Sequence, residues 1–529
     1  MMIDFTSNKD SIELSYVAAN GQIIEKKVPL KTGYYDIDVA EEYEVEGNPD
    51  IIPNLYSMKD KKPLKFVPSY KFGHQAKNYF IDNTLKTLDA PLHSESLELR
   101  IPNYYSVDIE IEVTDEFGYS NQNKVENRIL WISVTNEKFN SVGYALKTDI
   151  FKPYIGENNR IHPNYLTFIK NEIVKIYGAT SKYGKQLLNN LMEVVFFDSE
   201  IDMLIAFLND MRIHYHCIIG HNFLGYDWTY ISNRCKKLNI PLTIASPTNK
   251  LKEISFGKKR KNKNGVVENS TISVPVHRPI LDNMIMFQTS LSYNNLESYS
   301  LEALGQLVLH TGKISYDGNL KKLYEEDPVR FMMYAFVDAI LVVMLQQETN
   351  LMQVDFYESY LNKIPFMQLS QNAISESLVY YNLKKKNQYL PTSEHNHSED
   401  QKYVGGYVKT PTKKETLGVF GLDYSGLYVN CIIAMGISTE ARVDKVDVDE
   451  YGYPLTEADM KTWEYWKSQG QYILSPLGYI YDNREEPLFV SIEKETAAKR
   501  AIFKKHAEKI YLELEAKIEN RIKQLKTNQ

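Results

Sequence analysis

The chain has 529 residues, 43% hydrophobic and 24% charged. These are ordinary globular proportions, excluding disorder, collagen and a whole-chain coiled coil, and the length suggests about three or four domains. Net charge is −7, from 61 basic and 68 acidic residues, so no overall basic excess announces nucleic acid, although distribution matters more than the sum.

Three scattered cysteines, Cys217, Cys235 and Cys431, are too few for a disulfide framework or a zinc site. The start shows no basic-then-apolar signal, and apolar stretches such as Tyr334–Leu345 fall short of the roughly 20 residues a membrane span needs. A cytoplasmic setting without a membrane is expected, in the host cytoplasm if the chain is viral.

Residues 1–103 read as short strands and turns, with a hairpin signal at Asn20-Gly21. From Tyr104 the pattern sharpens. Val107–Val113 alternates apolar and acidic, and Ile129–Val134 is a second strand. Helical spacing is predicted over Gln186–Val195 and Met203–Met211, then a strand at Cys217–Ile219 and a helix over Trp228–Leu238. Strands alternating with helices predict an α/β domain ending near residue 345. A basic run over residues 258–263, ahead of Asn264-Gly265, reads as a hairpin tip, either solvated or touching DNA. Residues 346–390 read as helical and Thr392–Gln401 as a polar loop. Gly418–Tyr428 restarts a strand, and Ile492–Leu525 is one long helix with Ile510, Leu514, Ile518 and Ile522 on a face.

Three places carry acids in telling company. Asp108-Ile109-Glu110-Ile111-Glu112 puts three carboxylates at strand spacing, predicting one shared face where like charges repel unless a cation is shared; a solvated amphipathic strand would look the same. Asn222 to Asp227 leads into a helix, where Asp227 could be no more than its N-cap. Tyr334 and Asp338 lie i, i+4 on a helix, a spacing that is more often structural.

Together, D-x-E on a strand, N-x-x-x-Y-D and Y-x-x-x-D in this order resemble the three exonuclease motifs of family B DNA polymerases, of the DEDD type with a tyrosine. The resemblance implies a ribonuclease-H-like 3′–5′ exonuclease in which Asp108, Glu110, Asp227 and Asp338 hold two Mg2+ ions, or Mn2+ in substitution, and Tyr334 orients the attacking water. Glu112 is the alternative to Asp108, because Val113-Thr114-Asp115 continues the family pattern better if Glu110 and Glu112 are the pair. Glu110 belongs to both frames.

The resemblance continues. Leu296–Leu307 and Gly312–Gly318 look like the phage-type segment joining the second and third motifs, and Val404–Val408 like the glycine–tyrosine element that follows. Asp423–Asn430 is similar to the palm motif D-x-x-S-L-Y-P-S, with Gly426, Val429 and Asn430 as departures. The family's palm aspartate binds metal and its tyrosine packs under the deoxyribose, roles that fall to Asp423 and Tyr428. Arg500 and Lys504 resemble the fingers pair that contacts the incoming triphosphate. Asp447-Val448-Asp449 precedes the fingers and is rejected as the second palm element. That element, the second fingers motif and a thumb are not found.

The expected organisation is an α/β multidomain chain: an N-terminal domain (1–103, with 346–390 packing on it), the exonuclease (104–345), the first part of the palm (391–475) and the first part of the fingers (476–529). The implied function is the N-terminal portion of a phage-type polymerase, split before the second fingers motif and completed by a C-terminal polymerase chain. The implied partners are primer–template and single-stranded 3′ ends, deoxynucleoside triphosphates and a sliding clamp. A stand-alone exonuclease with a vestigial palm and a non-catalytic DNA-binding assembly subunit are the alternatives; carboxylates that repel one another count against the latter.

Overall fold

The computed structural model describes residues 102–114, 121–261, 267–316, 318–362, 366–389 and 423–527, a few single positions beside them, and six short strands within residues 2–67. Val404–Val408, the loop Thr392–Gln401 and the side chains of the basic run 258–263 lie outside the described residues. The chain divides into two units, residues 1–32 with 83–374 and residues 33–82 with 375–529. These boundaries differ from those of the four expected domains.

The first unit opens with three antiparallel strands, β1 (Met2–Ser7), β2 (Ser11–Val17) and β3 (Ile23–Pro29). In the second unit, β4 (Asp36–Val39), β5 (Ile51–Ser57) and β6 (Pro63–Val67) form a sheet completed by a later strand.

The centre of the first unit is a six-stranded mixed sheet. Its strands are β7 (Tyr104–Ile111), β8 (Ile129–Asn136), β9 (Ser141–Leu146), β10 (Met192–Phe197), β11 (Cys217–Gly220) and, after the hairpin β12 (Leu251–Lys261) and β13 (Val267–Pro275), β14 (Ile280–Asp282). The spatial order is β10-β9-β8-β7-β11-β14. Strands β7, β8 and β9 pair antiparallel, while β10, β11 and β14 join in parallel. Strands β8 and β11 read as near-continuous apolar runs, as strands buried on both faces must.

The helices of this unit are α1 (Pro163–Tyr177), α2 (Lys182–Asn189), α3 (Glu200–Ile213), α4 (Asp227–Lys237), α5 (Asn283–Thr289), α6 (Leu301–Leu309), α7 (Leu320–Glu326), α8 (Pro328–Thr349) and α9 (Leu351–Asn362). The helix expected over Gln186–Val195 is a correction: α2 ends at Asn189 and Met192–Phe197 is strand β10, where β-branched and aromatic residues pair with β9. Helix α8 starts at Pro328 under the Asp327 cap, whose Oδ1 accepts the Arg330 amide at 3.0 Å. It is long and apolar enough to cross a membrane, beyond what Tyr334–Leu345 suggests, but it packs on β7 and β8 and buries nearly every side chain from Phe331 to Gln346.

One buried ion pair fixes α4 against the sheet. Arg234 Nε and Nη2 donate to both Glu200 carboxylate oxygens at 2.8 and 2.7 Å, and Glu200 Oε1 also accepts the Ile129 amide at 2.8 Å. Removing one partner of such a pair strands the other charge. Arg234→Ala is therefore expected to cost ~3–5 kcal/mol of stability in urea unfolding; a loss under about 1 kcal/mol would contradict the pair's structural role.

In the second unit, α10 (Gln371–Lys385, which begins in the first unit) leads to β15 (Gln388–Tyr389), which joins β5 in parallel. The expected strand ending at Tyr428 is a second correction: a turn at Ser425-Gly426 passes straight into α11 (Leu427–Met435). Strands β16 (Arg442–Lys445), β17 (Tyr472–Leu474) and β18 (Tyr479–Asp482) make a small antiparallel sheet, with α12 (Glu457–Ser468) between the first two. Helix α13 (Leu488–Thr527) packs on α11; its start is buried through Leu488 and Ile492 against Leu383, and residues 494–521 are exposed.

Candidate active site

Strand β7 carries Asp108, half-buried, and Glu110, buried. Asp338, 3% exposed on α8, meets them: one carboxylate oxygen from each of the three lies within 4.8 Å of the others. Asp227 stands beside this group at the start of α4, whose N-cap is Tyr226 rather than Asp227. Its Oδ1 accepts the Ile109 amide at 3.3 Å, tying the helix to the strand between the two acids.

The loop before Asp227 is held by two devices. Gly220 ends β11 where a side chain would meet the Val107 carbonyl at 2.6 Å, so the turn passes directly over β7. The buried Asp282 carboxylate accepts the Leu224 amide at 3.0 Å while capping α5 through Met284 at 2.9 Å and Ile285 at 3.3 Å. Burial raises Asp282 to about 6, against the amides that hold it down. His221 closes the other side. Its Nε2 lies 2.9 Å from the Tyr299 carbonyl, and Asn283 donates to its Nδ1 at 3.1 Å. Burial drops His221 to about 4, so the ring is neutral at physiological pH.

Glu112, just past the end of β7, is not among the acids that gather with Asp108 and Glu110. The register of β7 against β8 shifts between Glu110 and Ile111, with Leu130 of β8 as the extra residue, and β7 ends at Ile111. Glu112 instead forms a two-pronged pair with Arg128, at 2.7 and 2.9 Å, which holds its carboxyl below the ordinary range. The three acids expected together are thus divided, Asp108 and Glu110 meeting Asp338 and Glu112 pairing with Arg128.

Lys313 was not singled out by its sequence. Its Nζ lies 2.6 Å from Asp338 Oδ2 and donates to the Tyr334 hydroxyl at 3.2 Å. A Gly-Lys pair in a loop between two motifs is the only signal that could have found it. Tyr334 is buried, edge-on to Tyr316 with ring centroids 5.1 Å apart, and burial followed by the Asp338 charge pushes its phenol far up.

Burial and mutual repulsion raise all four acids. Asp108 and Glu110 sit well above the ordinary range, and Asp338 is raised by burial while Lys313 pulls it back. Asp227 is pushed by burial from 3.8 to about 8. Among the described residues Asp338 Oδ1 is buried with no hydrogen-bond partner. An orphan oxygen in a cluster of hard oxygen donors fits a divalent cation.

The sign of the pH effect follows. A carboxyl raised on folding contributes stability below its unfolded value and loses it as pH climbs through its folded value, here 3.8 to about 8 for Asp227. Cation binding requires the ionised form. Magnesium is therefore expected to raise Tm more at about pH 9 than at about pH 6; equal shifts in paired melts with and without EDTA would contradict the site.

In the second unit, Asp423 and Arg500 are exposed, Tyr428 is 83% exposed, and the exposed Lys504 lies 3.8 Å from Glu508. Among the described residues no hydrogen bond or ion pair joins Asp423, Tyr428, Arg500 and Lys504. Asp449, part of the rejected D-x-D, folds its own turn by accepting the Tyr451 and Tyr453 amides at 2.9 Å.

Residues 67–304 match the family model described as DNA polymerase family B, exonuclease domain. Lys313, Tyr334 and Asp338 lie beyond that match. The DNA-directed DNA polymerase of Enterobacteria phage T4 is 26% identical over 385 residues, covering 69% of this chain and 40% of that protein. The DNA-directed DNA polymerase of Escherichia phage RB69 is 26% identical over 46% of this chain and 26% of its own length. The DNA polymerase of Pyrococcus horikoshii is 24% identical over 51% of this chain and 21% of its own. The chain thus spans well under half the length of these relatives. With the mixed sheet and the acids gathered on it, the matches lead to one statement: residues 67–304 of this chain match the exonuclease domain of the family B DNA polymerases.

Proposed function

We propose that the first unit hydrolyses the 3′-terminal phosphodiester of single-stranded DNA, as a proofreading exonuclease does, with Asp108, Glu110, Asp227 and Asp338 holding two magnesium ions, for which manganese can substitute. The observation that carries this reading is the set of carboxylates packed within 4.8 Å around an unpartnered Asp338 oxygen. Two bound ions ~3.5–4 Å apart supply charge stabilisation to the attacking and leaving oxygens of an in-line displacement. Tyr334 stays a neutral phenol at working pH, its hydroxyl held beside the cluster by Lys313, which donates to its oxygen, and by Asp338, so that it is placed to orient water. Lys313 also offsets the negative charge of Asp338.

This assignment separates the two frames for the first motif. With magnesium, Asp108→Ala is expected to lower the digestion rate ~10²-fold or more. Glu112→Ala, which breaks only a partly exposed pair with Arg128, is expected to stay within ~3-fold of the parent. Comparable losses in the two variants would return Glu112 to the ligand set. Tyr334→Phe is expected to fall between them.

For the second unit, we propose half of a nucleotidyl-transfer site, with Asp423 as a metal-binding palm aspartate, Tyr428 under the deoxyribose, and Arg500 and Lys504 contacting the incoming triphosphate. On this reading a second chain supplies the remaining fingers, palm and thumb; primer–template, deoxynucleoside triphosphates and a sliding clamp are the partners. The support is the face of α13, where Ile502, Phe503, Ile510, Tyr511, Leu514 and Ile518 are 52–69% exposed. A contiguous apolar stripe of that size belongs to an interface.

A further inference from the structure

We infer that Glu302 is a positioning residue for Lys313, an inference that rests on the exonuclease reading. Glu302 lies in the first turn of α6, behind the Ser300 cap. Its Oε2 accepts the backbone amide of Lys313 at 2.6 Å, and its Oε1 accepts Gln306 Nε2 at 3.0 Å. The carboxylate is thus held on its own helix by one oxygen and holds the Lys313 backbone with the other.

The chain around this contact is shaped to admit it. Helix α6 ends on His310 in the left-handed region, and Thr311 folds back to donate to the Gly305 carbonyl at 3.4 Å. At Gly312 a Cβ would sit 2.3 Å from both Glu302 oxygens. Any residue larger than glycine would therefore displace the carboxylate. Two independent features, a charged acceptor and a vacant Cβ position, converge on one backbone amide.

That amide belongs to the residue whose ammonium reaches Asp338 and Tyr334. Lysine has a long, freely rotating stem, so a charge at a fixed point needs a fixed backbone. Glu302 touches none of the carboxylate cluster through any hydrogen bond among the described residues. Its charge also raises Asp338, so the isosteric Glu302→Gln, which removes the charge and keeps an acceptor, separates that influence from the placing of Lys313.

Two measurements test this on the full chain. Amide hydrogen exchange at Lys313 reads the tether directly. It is expected to quicken at least ~10-fold in Glu302→Ala and to stay close to the parent in Glu302→Gln, which keeps an acceptor oxygen. Single-turnover digestion of a single-stranded oligonucleotide with magnesium reads the consequence. Glu302→Ala is expected to lower the saturating single-turnover rate constant about 10-fold to 10²-fold with the half-saturating DNA concentration little changed, Glu302→Gln to recover most of it, and Gly312→Ala to reproduce the alanine loss. On a Lys313→Met background, Glu302→Ala is expected to add nothing, since both act through one group.

Slow Lys313 exchange in Glu302→Ala, or losses that multiply in the double variant, would overturn the inference. A parent chain that digests nothing would overturn the exonuclease reading instead, while the exchange measurement still decides whether Glu302 holds Lys313.

Discussion

Replacing Asp338 with alanine is expected to slow 3′–5′ digestion of single-stranded DNA by ~10²-fold or more, and replacing Asp227 to do the same. The two losses have different local causes. Asp338 contributes the orphan oxygen of the cluster and the partner of Lys313, so on the proposed two-metal reading its removal takes away a cation ligand, and it releases the ammonium from its fixed point. Asp227 contributes a carboxylate whose other task is to accept the Ile109 amide, so its removal also loosens α4 from β7.

The Asp227 effect should not be a disguised loss of fold. Both groups are raised by burial, and a buried carboxyl that resists ionisation costs stability at neutral and higher pH rather than adding it. Melting of Asp227→Ala in EDTA near pH 8 should therefore remain close to the parent. Digestion by either variant within ~3-fold of the parent, at saturating magnesium, would remove the carboxylates from the mechanism.

The gathering of Asp108, Glu110 and Asp338 is legible in the sequence because each sits in a regular element. Strand period two puts Asp108 and Glu110 on one side, and an acid beneath Tyr334 on a long apolar helix has few places to face except the site. That rule does not show Glu112 leaving the cluster for Arg128. The shift between Glu110 and Ile111 comes from how β8 pairs, with Trp131 opposite Glu110 and Ile129 opposite Ile111, and no local pattern in β7 announces it.

Lys313 and Glu302 are illegible for a related reason. Their meeting depends on a turn after α6 folding back onto the helix, and a Gly-Lys pair has neither period nor neighbouring charge to mark it. The edge strand β10 was hidden by length: its six residues follow directly on a helix, so a window spanning both reads as helical. The mixed sheet itself is visible from the alternation of strands and helices, but its order, with β7 between β8 and β11, is fixed only by long-range pairing.

Primer extension is where the second unit is decided, and the expected result is qualitative: with magnesium and all four deoxynucleoside triphosphates, this chain alone shortens primers and does not lengthen them. One exposed carboxylate, Asp423, is too few ligands to hold two magnesium ions in the geometry that in-line transfer needs. Arg500 and Lys504 stand on a helix whose residues 494–521 are all exposed, so their charges act in water, where their hold on a triphosphate is weak. A second chain that covers Ile510, Leu514 and Ile518 would desolvate this helix, bring a further carboxylate to Asp423 and supply more cations for the triphosphate. Extension should then appear on mixing and vanish with Asp423→Ala, while digestion persists. Replacing Ile510 and Ile518 with aspartate should abolish extension and leave digestion intact, because an uncompensated charge in an apolar interface costs several kcal/mol of association. Lengthening of primers by the purified single chain would refute completion by a partner outright.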